Sequence, residues 1–142
     1  MDAVIFIGIQ GAGKTSFYRE RFFDTHVRIS LDMLRTRHRE QLLLDSCLLA
    51  RQSSVVDNTN PLAADRQRYI VPARKAGFRV VAYLFRVPLQ QAIERNDQRK
   101  FKQKVPVAAL ASTYKKLQPP SAGEGFDQIY TVELAGGEFV VT

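Results

Sequence analysis

The run Gly8-Ile9-Gln10-Gly11-Ala12-Gly13-Lys14-Thr15 sets glycines, a lysine and a hydroxyl at spacings that suit a phosphate anion. It fits G-x-x-x-x-G-K-[ST], in which glycines let successive backbone N–H groups turn inward around phosphate oxygens. The run Ser16-Phe17-Tyr18-Arg19-Glu20-Arg21-Phe22 that follows can be a helix, whose N-terminus adds its partial positive charge. Lys14 is then placed to reach the β- and γ-phosphates, and the Thr15 hydroxyl to ligate Mg²⁺. The chain is therefore expected to bind a nucleoside triphosphate, with ATP as the default. Gly8, Gln10, Gly11, Ala12, Gly13, Lys14, Thr15 and Ser16 form the expected donor loop.

Three further groups have chemistry at suggestive spacings. Asp57 ends the apolar run Ser53-Ser54-Val55-Val56, where a second acid of phosphate-loop proteins helps position Mg²⁺, directly or through water. The same acid also suits a plain turn in Asp57-Asn58-Thr59-Asn60. Asp32 and Arg35 stand three apart, which puts them on one face of a helix. There Asp32 is placed to take a proton from an acceptor hydroxyl, and Arg35 to hold an anionic group of that acceptor. A carboxylate complementing the start of a helix is the plainer alternative for Asp32. Arg95 and Arg99, four apart, also share a face. Aimed at the γ-phosphate they would stabilise charge on the transferring group. By spacing alone, a solvated basic face, or a pair partnered by Glu94 and Asp97, explains them better.

These residues need a scaffold, and the hydrophobic pattern supplies one. Ala3-Val4-Ile5-Phe6-Ile7 reads as a buried strand running straight into the glycine loop. A helix follows to about Phe23, then a short strand at Val27-Arg28-Ile29. A helical region covers about Leu31 to Arg51, with a break expected near Arg39. After the strand ending at Asp57, Asn60 is expected to cap a helix with Pro61 at its first position. Pro72 should bend that helix and Gly77 end it. Phe78 to Phe85 is the next strand, and Pro88 starts a helix to about Lys100. Val105-Pro106 opens another, through about Leu117. Gln128–Leu134 and Glu138–Val141 flank Gly136-Gly137 and read as a hairpin. Alternating strands and helices predict an α/β fold: a doubly wound central parallel sheet with helices on both faces and a C-terminal β-hairpin.

Composition narrows the classes. The 142 residues suit one domain, residues 1–142, and the 45% hydrophobic content suits a packed core. No apolar stretch approaches the ~20 residues that cross a membrane, so no membrane partner is expected. Cys47 is the single cysteine, which excludes an internal disulfide and agrees with a cytoplasmic setting. His26 and His38 lack partners at metal spacing. An Asn-Lys-x-Asp run, which would select guanine, is missing, and the length is short for the helical lid domain of an AAA+ motor. The net charge of +7 points to an anionic partner, nucleic acid foremost. Arg86, Arg95, Arg99, Lys100, Lys102 and Lys104 concentrate that charge in one stretch.

In combination these motifs are narrower than any one of them. The glycine loop, Asp32-x-x-Arg35, Asp57-Asn58-Thr59-Asn60, Arg95-Asn96-x-x-Arg99, Lys104-Val105-Pro106 and Tyr114-Lys115 together resemble the 5′-kinase domain of phage-type polynucleotide kinases, within the small phosphate-loop kinases. The resemblance spans roughly residues 4 to 120 and implies an adenylate-kinase-like topology. It implies that Lys14 contacts the donor phosphates, that Thr15 ligates Mg²⁺, and that Asp32 is the general base for a 5′-hydroxyl. It implies that Arg35 grips the phosphate on the 3′ side of the acceptor nucleotide, and that Arg95 and Arg99 are lid arginines on the donor phosphates. The segment between Arg35 and Asp57 is shorter than in the phage enzyme. An Asp-x-Asp-x-Thr phosphatase run is missing, and the C-terminal hairpin lies outside the resemblance.

The expected reaction moves the γ-phosphoryl group of ATP, with Mg²⁺, to a 5′-hydroxyl end of DNA or RNA, an activity of nucleic acid repair. A small-molecule hydroxyl kinase acting on a metabolite, antibiotic or nucleotide sugar is the first alternative. A nucleic-acid-binding module that uses ATP without transfer is the second.

Overall fold

The computed structural model describes residues 1–99 and 104–142. Lys100 and Lys102 of the basic stretch lie outside the described residues. The elements are β1 (Asp2–Ile7), α1 (Lys14–Arg21), β2 (Val27–Ile29), α2 (Leu31–Leu34), α3 (Arg37–Leu49), β3 (Ser54–Val56), α4 (Ala63–Lys75), β4 (Arg79–Phe85), α5 (Leu89–Asp97), α6 (Val107–Lys116), β5 (Gln128–Ala135) and β6 (Glu138–Val141). The strands form one sheet in the order β2-β3-β1-β4-β5-β6. Pairing is parallel from β2 through β5 and antiparallel only at β6.

Strands covered on both faces must be apolar throughout, and β1 shows why. Its Ala3, Ile5 and Ile7 join Leu44 of α3 and Tyr69, Ile70 and Ala73 of α4 on one face. Val4 and Phe6 join Phe17 of α1 and Ala92 of α5 on the other. The α/β fold with helices on both faces, expected from the sequence, is the fold found. Its order puts β1 in the middle, so the chain leaving β1 emerges at the centre of the sheet's carboxyl edge, where open α/β sheets hold ligands.

Local boundaries differ from expectation in three places, each with a cause. The helical region after β2 breaks at Arg35 rather than near Arg39. Arg35 takes φ 76°, and Thr36 restarts the chain as a cap, its hydroxyl accepting from the Arg39 N–H at 3.1 Å. Asn60 is not a cap. Its backbone sits at φ 47°, and its amide donates to the Phe6 carbonyl at 2.9 Å, tying β1 to the loop after β3. The helix starts at Ala63 instead and runs through Pro72 to Lys75. Its buried face, Arg66, Tyr69, Ile70 and Ala73, holds it against the sheet across the missing N–H.

The C-terminal hairpin is part of the sheet rather than an appendage. Its first strand is the fifth parallel strand, paired with β4 from Val81 to Phe85. Gly136 and Gly137 take φ 61° and 80°, the left-handed pair that a tight hairpin turn requires. β6 then returns Phe139 to α1, with its ring 5.2 Å from that of Phe17.

Arg66 is the largest fully buried side chain. Its guanidinium meets both oxygens of Glu124 at 2.9 and 3.2 Å. It also donates to the carbonyls of Asn60, Pro61 and Gln118, so one side chain fastens the chain after β3 to the chain after α6. Glu124 is itself only 9% exposed. Arg66→Ala leaves that carboxylate unpaired and is expected to cost about 3–5 kcal/mol, read from chemical denaturation. Arg66→Ala with Glu124→Gln should recover part of the loss.

Candidate active site

The glycine loop between β1 and α1 sits under α5. Gly11 has φ 79°, and a side chain there would meet the Ala92 carbonyl oxygen at 2.6 Å. Gly8 donates its N–H to the Thr59 carbonyl at 3.0 Å, which ties the loop's first residue to the segment after β3. α1 begins at Lys14, so the N–H groups of its first turn have no helical carbonyl to bond and are free for an anion. The Lys14 ammonium is held by the carbonyls of Gly8 and Ile9 at 2.9 and 2.8 Å. Burial lowers its pKa to about 8; the Asp57 charge opposes that shift and Arg99 adds to it. The lysine is thus desolvated and aimed before any ligand arrives.

A cleft of about 340 Å³ opens over this loop. Gln10, Gly11, Gly13, Lys14, Thr15 and Ser16 form its floor. Asp32, Asp57, and the pair Arg95 and Arg99 reach the same cleft from three separate segments of the chain. Arg95 lies against the loop: a side chain at Gly13 would come within 2.4 Å of its Nη1. Asn96 beside it is buried. Its amide exchanges two hydrogen bonds with the Val105 backbone, at 2.6 and 2.8 Å, joining the end of α5 to the lead-in of α6. The sequence pattern held Asn96 without a role; its position makes it the anchor for Arg95 and Arg99.

Asp57 and Thr15 form the oxygen pair expected for a divalent cation. The Thr15 hydroxyl donates to Asp57 Oδ2 at 3.0 Å, and the Asp57 side chain is 2% exposed. A hydroxyl and a carboxylate are hard oxygen ligands, and Mg²⁺ takes one or two such groups plus phosphates and water. Among the described residues no cluster of three or more His, Cys, Asp or Glu side chains is placed to hold a metal. The donor set therefore fits Mg²⁺ that arrives with nucleotide phosphates, not a metal held by protein alone.

Arg35 does not line the cleft. It is exposed and ends α2 with a left-handed φ, so the helical face it was expected to share with Asp32 stops short of it. Arg28 lines the cleft in its stead, from the middle of β2. Its Nε bonds Asp57 Oδ2 at 2.8 Å, and its Nη2 lies 3.4 Å from the Thr15 hydroxyl.

A second buried network holds α2. Asn58 accepts from the Leu31 N–H at 2.9 Å. Its amide donates to Glu40 Oε2 at 2.9 Å and to the Tyr69 hydroxyl at 3.2 Å. Tyr69 in turn donates to Glu40 at 3.0 Å. Burial, with the Glu40 charge beside it, raises the Tyr69 pKa to about 12, so the phenol stays a donor. This chain of bonds fixes the first residue of α2, and with it Asp32, one residue on.

With this geometry in view, likeness to known proteins is informative. The chain belongs to the family described as "AAA domain", whose model matches residues 4–120. Solved structures share its fold at low identity. Kti12 of Chaetomium thermophilum, in complex with ADP-AlF3, is 13% identical, with a TM-score of 0.66 over 94% of this chain and 89% of that one. A structure from the PezAT toxin–antitoxin system of Streptococcus pneumoniae is 16% identical, with a TM-score of 0.64 over 97% and 70%. The APS kinase CysC of Mycobacterium tuberculosis, with AMPPNP and APS, is 19% identical, with a TM-score of 0.56 over 92% and 88%. These structures share the α/β fold of this chain, and one of them is a kinase. Among the described residues no helix is long and apolar enough to cross a membrane.

Proposed function

We propose that the protein is an ATP-dependent phosphotransferase that phosphorylates a hydroxyl group, with the 5′-hydroxyl end of DNA or RNA as acceptor. The observation that carries the transfer reaction is the meeting of Asp32 with Lys14, Thr15, Arg95 and Arg99 in one cleft. A binding module without transfer has no need of a carboxylate facing the donor loop. The net charge of +7 supports a polyanionic acceptor.

The chain's own residues divide the work. The loop N–H groups and Lys14 hold the β- and γ-phosphates. Thr15 and, directly or through water, Asp57 would hold Mg²⁺, which would neutralise charge on those phosphates. Asp32 accepts the proton of the acceptor hydroxyl as its oxygen attacks phosphorus. Arg95 and Arg99 stabilise charge on the moving phosphoryl group, and Lys14 stays with the departing ADP.

The second reading is a kinase for a small hydroxylated molecule. It is favoured by the placement of Arg35, the residue expected to hold an acceptor phosphate, outside the cleft. One assay separates the readings. The protein is incubated with γ-labelled ATP, 5′-hydroxyl oligonucleotides and a panel of small hydroxylated metabolites. Label on the oligonucleotide is the expected result. Label on a small molecule alone establishes the second reading, and no transfer to any acceptor sinks both.

A further inference from the structure

The guanidinium of Arg28 sits on both Asp57 and Thr15. It makes a 2.8 Å bond to Asp57 Oδ2 and lies 3.4 Å from the Thr15 hydroxyl, the two protein oxygens that suit Mg²⁺. The Thr15 hydroxyl also spends its proton on the same Asp57 oxygen, at 3.0 Å. Asp57 Oδ2 therefore accepts from both, and the three side chains close on one another. A carboxylate as buried as Asp57 needs a compensating charge in the absence of ligand. Lys14 is committed to two loop carbonyls, so Arg28 is the cation in direct contact. Its own side chain is 25% exposed along the cleft wall, so the guanidinium has a path away from the pair.

We infer that Arg28 competes with the divalent cation for Asp57 and Thr15. The exchange is of one cation for another: a guanidinium leaves as the metal arrives. A metal ion alone gains only two protein oxygens by displacing Arg28 and must break an ion pair to do so. A metal that arrives on ATP brings phosphate oxygens of its own, and the loop and Lys14 bind those phosphates independently. Arg28 thereby makes the site selective for the metal–nucleotide complex over the free metal. The inference rests on the donor half of the proposed function alone and needs no acceptor.

The test is direct metal binding without nucleotide. Mn²⁺ is titrated into the full chain and followed by the loss of the free-ion electron paramagnetic resonance signal. Wild type should bind Mn²⁺ weakly. Arg28→Gln, which removes the charge and keeps a hydrogen-bonding amide, should bind it at least tenfold more tightly. Arg28→Gln with Asp57→Asn should lose that gain. With a saturating non-hydrolysable ATP analogue present, the difference between wild type and Arg28→Gln should shrink. Equal or weaker Mn²⁺ binding by Arg28→Gln overturns the inference, as does a gain that survives Asp57→Asn. If Arg28→Gln does not fold, Arg28→Lys replaces it. A lysine ammonium cannot bridge both oxygens as a guanidinium fork does, so a smaller gain in the same direction is expected, and no gain overturns the inference. Because no phosphoryl transfer is measured, failure of the label-transfer assay and failure of this titration are distinguishable.

Discussion

Asp32→Asn is expected to lower the rate of phosphoryl transfer by about 10²–10⁴-fold while leaving ATP affinity within about twofold, the range set by loss of a positioned general base. The side chain lines the cleft from α2, and α2 makes none of the contacts that hold the glycine loop. The asparagine keeps the size and one oxygen of the aspartate, so the donor site should assemble normally. What is lost is the ability to take a proton from the attacking hydroxyl. Initial rates with labelled ATP give the first quantity and calorimetric titration with a non-hydrolysable analogue gives the second. Normal turnover would remove Asp32 from the mechanism; loss of ATP binding would make it part of the donor site.

The second large effect belongs to Lys14. Lys14→Met keeps the unbranched apolar stem and removes the charged end, and is expected to lower kcat/KM by about 10²–10³-fold, the scale of a lost preorganised donor. The wild-type protein should also show a pH signature that the variant lacks. Burial holds the free-protein Lys14 pKa near 8, and phosphates bind the charged form. ATP affinity should therefore be flat below pH 8 and fall as pH rises above it. At pH 8 binding should take up about half a proton at this residue, read by calorimetry in buffers of different ionisation heat. The stability effect has the opposite sense. Between about 8 and the ordinary value of 10.5, the unfolded lysine holds a proton that the folded one has released. Stability of the nucleotide-free protein should rise with pH through that window, relative to Lys14→Met. A wild-type affinity that stays flat to pH 9.5 would contradict the desolvated lysine.

The glycine loop and its place between a strand and a helix were legible in the sequence because their information is local. Eight consecutive residues, an apolar run before them and a helix after them specify the loop without reference to the rest of the chain. Asp32 was legible for a related reason: it follows a strand, and strands of a parallel sheet deliver their next residues to one edge. Arg35 was misplaced because the three-residue spacing holds only while the helix continues. A left-handed backbone at Arg35 ends it, and no glycine or proline there announces the break.

Arg28 was invisible for a different reason. In Val27-Arg28-Ile29 an arginine between two apolar residues reads as the solvent side of a short strand. Its partner Asp57 is 29 residues away, and only the pairing of β2 with β3 brings them together. Glu40 reads in the same way as a solvated helix residue, yet it is buried against Asn58 and Tyr69. Such polar contacts are set by tertiary packing, and composition and periodicity do not encode them. The hairpin was found by its glycines, but its first strand was not recognised as a member of the sheet, since a two-strand pattern carries no sign of the third strand it joins.

The two halves of the cleft are built to different standards of permanence. The loop is wedged between the sheet's centre and α5, and a change there disturbs the core. Asp32 rides on a single helical turn, Leu31–Leu34, with no buried residue of its own. That turn is hung from one asparagine at its start and released by one left-handed residue at its end. Such a mount can be redrawn without touching the machinery that handles ATP. Under the proposed function, exchanging residues 31–35 for the corresponding turn of another protein of this fold should therefore shift what is phosphorylated while leaving the thermal stability and the nucleotide affinity nearly where they were. Choice of acceptor would then rest on one turn of helix on which the glycine loop does not depend.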